Sequence, residues 1–296
     1  MNSPQHDATL HAAPLRPLPK WVRLNAHYTY EEAGLFAGAA LVHMHHVLLD
    51  AELPADLFRD RLAMEASLNC LNITGRPYGF GELRDEVHFL REGDAPSPAG
   101  QIAMSWRRAV ERGSSVASLK RALPHVETDL IGESLDAGLG SPMDRAVGAL
   151  TFALKALPKD EAAALIFADA VLSQALGWKR LVPLLGVFLT RRDLRGDPEE
   201  LRLRCYRVVV SAVRAHSDKA ADLARRVGRL RTVATKLRAK GSEAAVSQIM
   251  TQDAVTPAHL TSLRSSRSAR RFCDRLIELG VVRELSGRDT FRLYGV

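Results

Sequence analysis

Residues 266–296 read SRSARRFCDRLIELGVVRELSGRDTFRLYGV, and this stretch decides how the rest of the chain divides. Ala269, Phe272, Cys273, Leu276 and Leu279 recur at helical spacing, while Arg267, Arg270, Arg271, Asp274, Arg275 and Glu278 fill the other faces. Ser265 and Ser266 offer an N-cap, and Gly280 offers a C-terminal stop. Residues 281–285 and 290–294 are β-prone and are joined by Ser286-Gly287-Arg288-Asp289, a link suited to a hairpin. Helix, glycine and hairpin with an arginine near its tip form the closing half of a winged helix-turn-helix. The expected fold class is mostly α: a multi-helix body followed by a C-terminal winged helix-turn-helix with a small β-hairpin wing.

Charge follows the same division. Residues 1–201 carry 21 Lys and Arg against 26 Asp and Glu, while residues 202–296 carry 20 against 8, so the whole-chain +7 conceals −5 and +12. A body of slight negative charge with a basic final third is the footprint of a chain whose end meets a polyanion. The 296 residues suffice for one large domain or two. Cys70, Cys205 and Cys273 are odd in number and far apart, which implies neither disulfides nor zinc and suits a reducing cytoplasm. Residues 1–20 lack the apolar core of a signal peptide and read as a flexible arm. The most apolar run, 33–49, reads as too short to span a bilayer, so no membrane is expected.

Working back from the C-terminal stretch, residues 242–250 and 257–263 read as the two short helices that precede a recognition helix. Ser217-Asp218 is expected to cap a basic connecting helix over 217–241, carrying Arg225, Arg226, Arg229, Arg231, Lys236, Arg238 and Lys240 and stopped by Gly241. The body then covers 21–216 and the winged helix-turn-helix 242–296. Within the body, Thr29 and Glu32 form a capping box for a helix to about Asp50, on which Gly34 and Gly38 would admit a closely packed neighbour. Further helices are expected over 54–69, 82–91, around Trp106, over 143–157, from Pro158 to Leu176, and from Asp197. Residues 181–189 read as a buried short helix or kink, and 114–142 as the least regular part.

Several stretches carry a resemblance. Gly38-Ala39-Ala40-Leu41, the segment from Gly93-Asp94 to Pro98-Ala99-Gly100 with Trp106-Arg107, the string 236–241, and above all the residues from Ser268-Ala269-Arg270-Arg271 to Arg288-Asp289-Thr290-Phe291-Arg292-Leu293-Tyr294-Gly295 resemble an alphaproteobacterial, largely rhizobial, family catalogued as domain of unknown function 1403. The resemblance implies a bacterial origin and brings no activity and no site residue with it.

The chemistry therefore comes from the residues. Arginine forks to guanine or clamps phosphate, so Arg267, Arg270, Arg271 and Arg275 on the helix, Arg288 and Arg292 on the wing, and Lys236, Arg238 and Lys240 in support are the candidate DNA contacts. The plain alternative is a solvated face paired with Asp274, Glu278, Glu284 and Asp289. His43, His45 and His46 invite a metal, but no second cluster with ligand spacing accompanies them, and none is expected. Glu82, Asp85, Glu86 and His88 read as an exposed helix turn, and Trp21, Trp106 and Trp178 as aromatics packed in the body. No phosphate-binding loop, nucleophile elbow or zinc-protease motif occurs, so neither catalytic residues nor a cofactor are expected. The expectation is a DNA-binding protein, a transcriptional regulator or maintenance factor of a bacterial mobile replicon, with a homodimer or protein partner engaged through the body. The alternative is a helical interaction or scaffold protein whose winged helix binds protein.

Overall fold

Thr29 and Glu32 exchange hydrogen bonds as a capping box, the hydroxyl accepting from the Glu32 N–H at 3.3 Å and the carboxylate from the Thr29 N–H at 2.9 Å. They start α1, Tyr30–Leu49, which buries Ala33, Ala37, Ala40, Leu41, Met44 and Val47 against the long helix α11, Pro198–Ala234. This is the computed structural model of the chain; it describes residues 17–23, 29–90, 93–237, 239–287 and 291–296. Between these helices lie α2 (Ala55–Ile73), α3 (Phe80–Phe89), α4 (Pro98–Glu111), α5 (Val116–Ala122), α6 (Thr128–Asp136), α7 (Pro142–Ala156), α8 (Glu161–Ala175), α9 (Leu185–Phe188) and α10 (Arg191–Leu194). After α11 come α12 (Ser242–Thr251), a 3-10 turn at Pro257–His259, α13 (Ser266–Glu278), β1 (Arg283–Glu284) and β2 (Tyr294–Gly295). The protein is mostly helical, with a two-strand sheet among the described residues.

Helix α2 is the hub: Leu57, Phe58, Leu62, Met64 and Leu71 are fully covered by its neighbours. Trp106 of α4 is wholly buried and donates its indole N–H to Cys70 at 3.3 Å. Segment 181–189 is largely buried and holds the short helix α9 after a non-helical lead-in, and side chains from three helices satisfy its backbone. Asp169 accepts from the Leu185 and Gly186 N–H groups, Ser173 from Val182, and Asn69 donates to the Gly186 and Leu189 carbonyls, while His216 meets the Pro183 carbonyl. Burial outweighs those backbone N–H bonds and pushes the Asp169 carboxyl up to about 7.

Several elements differ from the sequence expectation. No helix begins at Ser217: α11 is continuous for 37 residues, and Ser217 donates to the Val213 carbonyl one turn back at 2.7 Å, the bond a mid-helix serine makes. The helix ends at Ala234, so Lys236 and Lys240 stand in the following turn; Arg238 lies outside the described residues. The stretch expected to be least regular holds α5, capped by the Ser115 hydroxyl, and α6, whose first residue follows Glu127 in extended backbone. The expected helix over 257–263 is one 3-10 turn. Trp21 is 58% exposed rather than packed. At 20 residues and mean hydropathy 1.2, α1 is long and apolar enough to cross a bilayer, contrary to the reading of 33–49 as too short, though a third of that window is buried.

Candidate nucleic-acid interface

Local chemistry shapes α13 as the sequence suggests. Ser265 is the N-cap and accepts from the Ser268 N–H at 3.2 Å, and Gly280 follows the helix in the left-handed region at φ 67. Ala269, Phe272, Cys273 and Leu276 are buried, while Leu279, expected on the same stripe, is 38% exposed at the helix end. Arg267, Arg270, Arg271 and Arg275 all lie on the exposed face. Arg275 pairs with Glu278 at 2.9 Å, both well exposed. No carboxylate among the described residues forms an ion pair with Arg267, Arg270 or Arg271.

Beyond α13 the chain forms the hairpin of β1 and β2, with Arg283 opposite Gly295 and Glu284 opposite Tyr294. Tyr294 also bridges Val255 antiparallel, through N–H to carbonyl bonds of 2.8 and 2.9 Å, so the order across this small sheet is Val255, β2, β1. Glu284 turns into the hairpin and accepts from the Ser286 hydroxyl and the Ser286 and Gly287 N–H groups; burial raises its carboxyl, but these bonds, the hydroxyl's foremost, hold it below the ordinary value. Arg288 lies outside the described residues, and Arg292 is exposed and hydrogen-bonds Tyr294. Phe291, 67% exposed at φ 55, meets the edge of Phe89 of α3 at 6.0 Å.

The turn bearing Lys236 and Lys240 is tied to the approach to α13. Gly241 sits at φ 86, its carbonyl accepts from the Ser262 hydroxyl at 2.9 Å, and a Cβ there would strike the Ser262 carbonyl oxygen at 2.0 Å. Lys236 and Lys240 are exposed. The cations further up α11 are mostly engaged: Arg225 and Arg226 with Asp222, and Arg231 with Glu52.

The C-terminal segment joins the body through buried ions that sequence reasoning missed. Asp253 is fully buried; Arg61 of α2 reaches it at 3.0 Å and Arg84 of α3 at 2.6 Å. Its N–H donates to Asp60, which receives Arg107 of α4 at 2.6 Å, and Arg61 also donates to the Val296 carbonyl at 2.6 Å. Burial raises the Asp253 carboxyl, but the hydrogen bond and charge of Arg84 and the charge of Arg61 more than offset this and hold it below the carboxylate range. His88, expected on an exposed turn, is buried beside this network, and burial with the charge of Arg107 pushes it down to about 4. A cleft of about 470 Å³ opens on the other side, lined by Arg61, Arg84, Lys219, Arg226 and Arg283, with Glu65 pairing Lys219 and Asp222 pairing Arg226. Burial and the nearby Arg61 push Lys219 down to about 8. The available sequence signal was an arginine set directly before a run of core residues on a helix, as Arg61 is before Leu62, Ala63 and Met64.

The three histidines of α1 are occupied or dispersed. His43 meets the Ser217 hydroxyl at 3.1 Å, and His45 accepts from the Trp178 indole at 3.2 Å. Among the described residues no group of three His, Cys, Asp or Glu side chains is placed to hold a metal.

No curated protein matches the chain. A family model described as a protein of unknown function, DUF1403, matches residues 7–296, so the chain belongs to the DUF1403 family.

Proposed function

We propose that the protein binds duplex DNA through residues 242–296 acting as a winged helix, as a transcriptional regulator or maintenance factor of a bacterial mobile replicon. The observation that carries this reading is the solvent face of α13, where Arg267, Arg270 and Arg271 stand exposed and form no ion pair with a carboxylate among the described residues. Three further features support it. The strand order Val255, β2, β1 around α13 is that of a winged helix, in which the strand after the first helix pairs with the last strand. The Gly241–Ser262 contact sets the Lys236 and Lys240 turn beside the start of α13, where added cations would meet phosphates flanking the helix. The basic excess of residues 202–296 supplies long-range attraction. One departure is the 3-10 turn where a winged helix has its second helix.

The second reading, a winged helix that binds protein, is favoured by exposed Phe291 in the hairpin. Both are tested by binding of the full chain to a duplex from its own upstream region and to a scrambled duplex across a salt series. With about four phosphates contacted, affinity falls roughly a hundredfold between ~50 and ~200 mM salt, and Arg270→Ala with Arg271→Ala flattens that slope. Preference for the native duplex marks a sequence reader, and equal salt-sensitive binding an architectural role. Absence of binding to either duplex at low salt overturns the DNA reading in favour of a protein partner.

A further inference from the structure

Helix α1 has a second face that the described residues leave uncovered. Leu35, Val42 and Leu49 are spaced seven residues apart and are 63%, 60% and 69% exposed. That spacing keeps them on one stripe, together with exposed Glu31, Gly38 and His46. Gly34 and Gly38, which the sequence suggested would admit a neighbouring helix, have no such neighbour among the described residues: a Cβ built at either meets nothing within 4 Å. They form one side of an open groove of about 490 Å³, whose lining includes Met143, Trp178 and Tyr206. A helix that gives up alanine for glycine and leaves three large apolar side chains in water is shaped for a surface outside the monomer.

The features of this face identify its occupant. Knobs (Leu35, Val42) and a seat (Gly38) lie on the same stripe, so the surface is complementary to itself, as a two-fold interface between identical chains requires. Charge fixes the direction. The acidic residues Glu31 and Glu32 lie in the first turn and His46 in the last, so parallel packing would set carboxylates against their own copies. Antiparallel packing instead separates the two acidic turns and sets each beside Leu48 and Leu49 of the other helix. We propose that the protein is a homodimer through antiparallel packing of α1 on the α1 of a second copy. With the two-fold axis near Ala40, Val42 of each copy sits over Gly38 of the other. The inference is independent of DNA binding, because it rests on α1 alone.

The test is the molar mass of the full chain by sedimentation equilibrium from nanomolar to high micromolar concentration. The mass rises from 32.5 kDa to twice that value. Val42→Glu places a carboxylate at the centre of the interface and weakens association roughly thirtyfold or more. Gly38→Leu fills the seat with the same result, and the open space at Gly38 lets the monomer fold normally, with an unchanged circular dichroism spectrum. A second assay floats the chain with phosphatidylcholine–phosphatidylglycerol vesicles. A monomer at every concentration, or a dimer untouched by both substitutions, overturns the proposal. So does a monomer that floats with vesicles unless Val42→Glu is present, since α1 would then face lipid.

Discussion

Two sets of arginines divide this molecule. Arg61, Arg84 and Arg107 sit where α2, α3 and α4 meet the C-terminal segment, 15%, 12% and 25% exposed, with their N–H groups on Asp253 and Asp60. Arg267, Arg270 and Arg271 stand on α13 in water with no acid partner among the described residues. The residue type is the same and the role is opposite. Buried guanidiniums are tolerable only when anions consume their charge, so the first set fixes architecture and has little charge to offer a ligand. The second set costs the fold almost nothing and leaves its full charge available. Position relative to carboxylates, rather than arginine density along the sequence, separates structural cations from those left unpaired on the surface.

The largest effect should follow from breaking the buried set at its shared anion. Asp253→Asn leaves two guanidiniums facing a neutral amide, and the expected loss is about 3–5 kcal/mol in urea unfolding at neutral pH. Replacing Arg267, Arg270 and Arg271 together by alanine should change stability by no more than about 0.5 kcal/mol while weakening any DNA binding. If Asp253→Asn were as mild as the α13 variant, the division between the two sets would collapse.

Acid should probe the same contrast with a somewhat smaller effect. Burial pushes His88 and His216 down to about 4 from an ordinary value of 6.5, His88 with a further contribution from Arg107. The unfolded chain therefore takes up these protons near pH 6.5 and the folded chain only near pH 4. Stability from each neutral histidine is complete above pH 6.5 and lost as pH falls toward 4, about 3 kcal/mol per residue at most. Asp253 acts lower down: with its carboxyl depressed, its contribution is present above about pH 4 and lost below. Urea midpoints at pH 7, 5.5 and 4.5 should decline accordingly, and His88→Gln should remove one histidine's share of the decline. A flat profile over that range would mean that neither ring is buried as a neutral base.

How much of this was legible depends on the range of the interaction. The capping box of α1, the serine cap and buried stripe of α13, and Gly280 as its stop are local, set by residues three or four apart, and the sequence carries them directly. The continuity of α11 through Ser217 was not legible, because serine serves a cap and a mid-helix turn equally well and only packing on α1 decides. The pairing of Asp253 with Arg61 and Arg84 spans 192 and 169 residues, beyond any periodicity argument, and it turned apparently generic helix cations into the anchor of the C-terminal segment. The α13 arginines could be read because a surface face needs no partner. The basic cleft around Lys219 and Arg283 could not, since four separate elements contribute to it.

The smallest effect belongs to the one candidate arginine that straddles both sets. Arg275 is on the exposed face of α13 yet shares its charge with Glu278 at 2.9 Å, with side chains 61% and 65% exposed. An ion pair so open to water contributes about 0.2–1 kcal/mol at most, because solvent screens it and two long side chains lose freedom to hold it. Glu278→Gln should therefore leave the urea midpoint almost unchanged. On the DNA reading it also removes a negative charge from the binding face and frees Arg275 for phosphate, so affinity at low salt should rise and the salt slope should steepen by about one phosphate's worth. Higher affinity with unchanged stability would place Arg275 with the binding set. Unchanged affinity would place it outside the contact face and confine the interface to Arg267, Arg270 and Arg271.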